Sequence, residues 1–162
     1  MSSLIVFLVI SGLPVLLALL FGVSSVFLFL SIAAGALLQQ HLTDSVSLAV
    51  SAVIHGGSSD TIASIVLLAL PVVLTLVFLR RSTKSSALIL QLAPLVLTGL
   101  TFGYLVLGQL GGDFQSRLYA GQFGENIKQG SDLAIGLAAV LNLLLAWRLH
   151  RTKHDAKHAK HH

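Results

Sequence analysis

Side chains able to bind a ligand or move a proton are scarce in this chain and fall in a few places. Five of its seven histidines, His150, His154, His158, His161 and His162, stand at the C-terminus. On a continuous helix His150, His154, His158 and His162 recur every fourth residue, and adjacent pairs at that spacing chelate zinc, nickel or copper. Lys153, Lys157 and Lys160 among them oppose a bound cation, and Asp155 is the one carboxylate nearby. The plainer reading of such a tail is a solvated basic end that binds anionic lipid and gains charge as the pH falls.

A second group is uncharged and lies within apolar surroundings: Ser64, Thr75, Gln91, Thr98, Thr101 and Asn142. Inside a membrane each can bond across a helix interface, worth roughly 0.6 to 2 kcal/mol. Pro71 and Pro94 fall in the middle of apolar runs. Paired breaks at membrane depth are how transporters expose carbonyls to a solute, so Pro71, Gln91, Pro94 and Asn142 form a candidate pore or polar contact set. Proline is also simply commoner in membrane helices than in soluble ones, and packing is the favoured account of the polar residues.

Missing chemistry narrows the options further. No cysteine is present, which removes disulfides, thiolate catalysis and Cys-held metals. Neither HExxH, GxSxG nor a Walker loop occurs, and the six acidic residues lie far apart. No enzyme activity and no cofactor are expected.

The elements carrying these residues follow from composition. Of 162 residues 55% are hydrophobic and 10% charged, with a mean hydropathy of +0.90; too few polar side chains exist to cover a water-facing surface. Formal charge is absent from Met1 to Thr43, Thr61 to Leu79, Ser85 to Gly112 and Leu133 to Trp147. The run from Leu4 to Gln40 would extend roughly 55 Å as one helix, well beyond a hydrocarbon core of about 30 Å. It is expected to split near Gly22-Val23-Ser24-Ser25 into spans over about 4–21 and 25–40, with Pro14 kinking the first; one long tilted helix is the alternative. Met1-Ser2-Ser3 carries no basic n-region, so the first span is expected to stay as a membrane segment.

Beyond Gln40, Val46, Val50, Val53 and Ile54 share one helical face and Asp44, Ser47, Ser51 and His55 another, which predicts a short interfacial helix within His41 to Ser59. Ser59 or Asp60 would cap the next span, about 61–79. After the basic turn from Arg80 to Ser86 comes a span over about 87–110, then a polar loop from Gly111 to Asp132. In that loop Tyr119, Phe123 and Ile127 are spaced to lay an aromatic edge on the membrane surface. The last span runs over about 133–149 with Arg148 snorkelling, and 150–162 form a basic His/Lys-rich tail. The fold class is thus an all-α, polytopic transmembrane bundle of four or five spans plus a short interfacial helix.

Small residues supply the packing surfaces. Gly99 and Gly103 make a GxxxG pair, which lets a partner backbone approach closely; Ala33 with Gly35, and Gly136 with Ala139, offer two more. Intramolecular packing is favoured for the GxxxG pair over self-association.

Eight of the ten Lys and Arg residues, Arg80, Arg81, Lys84, Arg148, Arg151, Lys153, Lys157 and Lys160, fall in the 80–86 turn and the tail. The positive-inside rule puts both in the cytoplasm; five spans then leave the N-terminus outside and four leave it inside. Proton coupling, voltage sensing or a retinal Schiff base would need an ionisable group at membrane depth, and none is there. The layout of paired N-terminal spans, polar linker and two further spans over about residues 4–110 resembles the colicin V production protein family. No motif accompanies that likeness, and no residue role is taken from it. The expected function is a structural subunit or assembly factor of a membrane complex, with a small uncoupled channel or transporter component, or a holin-like permeabilising protein, as alternatives. Expected partners are the lipid bilayer, anionic lipid at the tail, and other membrane subunits or further copies of the chain; nucleic acid is not among them.

Overall fold

A computed structural model describes residues 3–53, 59–79, 88–110, 116 and 124–158, and among these there is no strand. Five helices follow one another: α1 (Ser3–Phe21), α2 (Ser25–Val53), α3 (Ser59–Phe78), α4 (Leu88–Gln109) and α5 (Gly124–His158). Four of them, α2 to α5, contain apolar stretches long enough to cross a membrane, whereas that of α1, Ile5–Phe21, is shorter.

The expected break between the first two segments is present and has a defined geometry. Gly22 takes a left-handed φ of 63°, the Gly22 N–H donates to the Leu19 carbonyl (3.3 Å) and the Val23 N–H to the Ala18 carbonyl (2.9 Å). This pair of bonds closes the last turn of α1, and glycine adopts the required backbone without a Cβ penalty. The Ser24 carbonyl then accepts the Leu28 N–H (3.2 Å) and starts α2. Pro14, Pro71 and Pro94 all lie inside helices that continue past them.

Two expected boundaries are corrected. A span ending at Gln40 and a separate interfacial helix from His41 are replaced by one helix reaching Val53, about 43 Å long. No Gly or Pro interrupts the sequence from Ala36 to His55, and its hydroxyls bond back onto the helix: Thr43 Oγ1 to the Gln39 carbonyl (2.5 Å), Ser47 Oγ to Asp44 (3.0 Å) and Ser51 Oγ to Leu48 (2.8 Å). Residues 54–58 of the expected interfacial segment lie outside the described residues. The polar loop expected to reach Asp132 likewise gives way to helix at Gly124, where Glu125, Lys128 and Gln129 are good helix formers joined to an apolar span. Tyr119 and Phe123 of the expected aromatic edge lie outside the described residues, and Ile127 is in α5.

Contacts between named residues give each helix its direction. Phe7 packs on Tyr104 (ring centroids 5.2 Å) and Val15 on Gly99, so α1 runs antiparallel to α4. Ser25 meets Gln91 at one end of α2, and Ala36 and Leu37 share a groove with Leu105 further along, so α2 runs parallel to α4. Gly35 lies on Leu68 and Thr43 near Ser64, making α3 antiparallel to α2; Asn142 meets Thr98 while Gly130 approaches Tyr104, making α5 antiparallel to α4. Helix α4 packs against all four others, and α2 packs along α3.

The core is formed by Ala18, Val23, Leu28, Ile32, Leu68, Val72, Leu76, Leu95, Phe102 and Val106. Outside it, large apolar side chains face away from the protein on every helix, among them Leu20, Val73, Leu92 and Leu143. A water-soluble monomer rarely exposes contiguous apolar surface on this scale; lipid is the solvent that suits it.

Candidate functional site

Three of the buried polar side chains are strung along α4. Gln91, Thr98 and Thr101 fall on one face, with Pro94 between the first two, and all four are buried. At one end the Ser25 N–H donates to Gln91 Oε1 (3.4 Å). That N–H is among the orphan donors at the start of α2, so Gln91 caps a helix from another part of the chain.

Two turns further on, Asn142 Nδ2 of α5 donates to Thr98 Oγ1 (3.0 Å) and to its own helix at the Ala138 carbonyl (2.8 Å). Thr98 Oγ1 in turn donates to the Pro94 carbonyl (2.7 Å), and Thr101 Oγ1 to that of Leu97 (2.9 Å). Gln91 and Thr98 are about 10 Å apart along the axis, so the two contacts are separate. Thr43 Oγ1 and Ser64 Oγ share a third, weaker bond at 3.5 Å between α2 and α3. Thr75 is half-buried. Pro71 is half-buried on α3 and is not drawn into these bonds.

The GxxxG pair faces α1. A Cβ built at Gly103 would collide with Ser11 Oγ, and one at Gly99 would collide with Val15 and lie 2.5 Å from the Ser11 carbonyl oxygen. Gly35 is equally constrained, since a Cβ there would lie 2.7 Å from the Leu68 carbonyl oxygen. Ala33 is half-buried beside a groove, and Ala139 is half-buried on α5. Gly136 is placed differently: a Cβ there would meet nothing within 4 Å. Ser11 was not singled out by sequence reasoning, although it and Gly12 are the only small residues in the middle of an otherwise bulky apolar helix.

Three buried polar atoms, Ser11 Oγ, Ser25 Oγ and Asn142 Oδ1, make no hydrogen bond among the described residues. Two open grooves lie on the surface of the described residues. One, of about 380 Å³, runs between α1 and α4 beside Leu8, Gly12, Leu16, Val96 and Leu100. The other, of about 370 Å³, lies between α2, α4 and α5 beside Ala36, Leu37, Gln40, Thr101 and Ile135. Both are almost wholly apolar and neither connects the Gln91 contact to Asn142.

Charge is confined to the ends. Asp44, Asp60 and Asp132 are exposed at the end of the bundle where α2 and α4 finish, and Arg148 is exposed at the opposite end. Among the described residues no group of three or more His, Asp or Glu side chains comes together as a metal site. His150, His154 and His158 all lie within α5, and His162 lies outside the described residues. The arrangement can hold helices together. Comparison with family models, with curated proteins and with solved structures finds no match to this chain.

Proposed function

We propose that this chain is a non-catalytic integral membrane protein acting as a structural subunit or assembly factor of a larger membrane complex. The observation that carries the reading is how the interior polar groups are used: Gln91 caps α2, Asn142 bonds Thr98, and the glycine pair admits Ser11. Every one of these contacts joins helix to helix within the chain, while broad apolar faces of α1 and α5 are left outward.

In this reading α1 also crosses, giving five passes with the N-terminus outside and the 80–86 turn and C-terminus in the cytoplasm. The alternating helix directions support it, as do the eight Lys and Arg residues in the 80–86 turn and the tail, in keeping with the positive-inside bias.

Purification from native membranes in mild detergent tests the function. A partner recovered in fixed stoichiometry is the expected result. Solute flux through the purified chain alone in liposomes, lost on Asn142→Leu or Gln91→Leu, would overturn it in favour of a pore.

A further inference from the structure

We infer that the groove between α2, α4 and α5 is a seat for one acyl chain of a bound glycerophospholipid, with the polar end of the lipid at Gln40. Its dimensions carry the argument. On α2 the lining runs from Phe29 to Gln40, about 16.5 Å along the axis, which is close to the depth of one leaflet in a hydrocarbon core of about 30 Å. The volume of about 370 Å³ spread over that length gives a section of about 22 Å², about 5 Å across. An α-helix with its side chains is about 10–12 Å wide, so a helix of a second copy or of another subunit is too broad to enter. A single hydrocarbon chain fits, because wall and chain carbons then sit near the separation of about 3.5–4.0 Å that suits an apolar contact.

Polarity along the groove runs as it does along a lipid. Ala33 and Ala36 leave the room in its middle, and Ile135 of α5 forms part of the far wall. Thr101, the polar residue at depth, is buried and spends its hydroxyl proton on the Leu97 carbonyl. Water is a poor occupant of such a space, since it needs two to four polar partners. At the end of the strip stands the exposed amide of Gln40, where the apolar run gives way to His41 and Asp44; this is the level of the ester and phosphate groups of a leaflet, the outer one in the topology proposed above. The groove between α1 and α4 lacks such an end, being bounded on α1 by Leu8 and Leu19.

Lipid tails are as apolar as leucine, so the hydrophobic effect does not draw a chain from the bilayer into the groove. A resident chain is favoured instead because an unfilled groove leaves its walls without partner atoms on one side. Helix α2 is committed elsewhere, to α3, where Gly35 lies against Leu68.

Native mass spectrometry of the full-length protein, purified in mild detergent and titrated with palmitoyl-oleoyl-phosphatidylcholine, tests the seat. One lipid per chain should bind in a saturable first step. Ala33→Leu and Ala36→Leu each place a side chain where the acyl chain lies and should weaken that step by about tenfold. Gln40→Leu removes the amide at the polar end and should weaken it by about threefold. Leu143→Phe adds bulk on an exposed face of α5 outside the groove and should leave it within about twofold. Absence of a saturable step, binding unchanged by Ala33→Leu and Ala36→Leu or by Gln40→Leu, or an equal loss in Leu143→Phe would overturn the proposal. So would a dimer, in place of the lipid-bound chain, that disappears with the two alanine substitutions. Unchanged elution and far-UV circular dichroism show that each variant is folded.

Discussion

Asn142 of α5 donates its amide to the hydroxyl of Thr98 on α4, 3.0 Å away, and that hydroxyl passes a bond on to the Pro94 carbonyl at 2.7 Å. The pair is a polar link between the last helix and the rest of the bundle. A hydroxyl that accepts from one helix and donates to its own backbone is not left unpaired in hydrocarbon, where an unpaired polar group costs several kcal/mol.

Asn142→Leu and Thr98→Val should therefore each destabilise the bundle, and the double variant by less than the sum. A coupling of about 0.6 kcal/mol and no more than about 1.7 kcal/mol is expected, the average and the maximum measured for such bonds in a membrane protein. Unfolding in mixed micelles across the four proteins of the cycle reads it; a coupling of zero would mean that the bond contributes nothing.

The two glycines facing Ser11 should respond differently to repair. A Cβ at Gly103 collides with the Ser11 hydroxyl, whereas one at Gly99 also presses on the Ser11 backbone carbonyl. Gly103→Ala should cost about 1–3 kcal/mol and recover most of it when combined with Ser11→Gly. Gly99→Ala should cost as much and recover little, because backbone cannot be trimmed. Gly136→Ala, in open space, should stay within about 0.5 kcal/mol. Thermal unfolding of these variants, with the wild type and Ser11→Gly beside them, separates these outcomes.

Continuity of α2 makes a third expectation. Leu42 stands where the span was expected to end and lies mid-helix instead. Leu42→Pro should cost about 3 kcal/mol or more, since it removes a helical bond and clashes with the preceding turn. If a linker occupied that position the change would be tolerated, and a melting curve indistinguishable from wild type would show it.

Topology can be read directly because the chain contains no cysteine. Single-cysteine variants at Ser3, Ser51 and Lys157, treated in intact cells with a membrane-impermeant maleimide, should label at the first two positions and at Lys157 only after permeabilisation. Labelling of Ser51→Cys without Ser3→Cys would place both ends of the chain on the cytoplasmic side and remove α1 from the set of crossing helices.

Much of the architecture was legible from where charge is absent, and the break at Gly22 from residue type alone. The errors share a cause. At Gln40 and again at Asp132 a change from apolar to polar sequence was read as the end of a helix, but polarity marks where a helix leaves the hydrocarbon, while backbone hydrogen bonds decide where it stops. Thr43, Ser47 and Ser51 satisfy their hydroxyls on the helix they belong to, so nothing in that stretch compels a turn. Pairing was harder to see, because the partner of Gly99 and Gly103 lies far away in the chain and Ser11 has no pattern of its own. Gly136 shows the converse: a glycine at helical spacing from another small residue on α5 turns out to face open space.

The Gly22 corner also bears on the order in which the molecule is put together. The Ser25 N–H finds its acceptor at Gln91, 66 residues later, and α1 packs chiefly on α4 rather than on the helix that follows it. At about 5–20 residues per second the ribosome has moved on for several seconds before that acceptor exists. Helices α2 and α3 can meanwhile close on each other through Gly35, but α1 has to wait beside them without a settled neighbour. The arrival of α4 gives it one, and α5 then locks over α4 as the final piece.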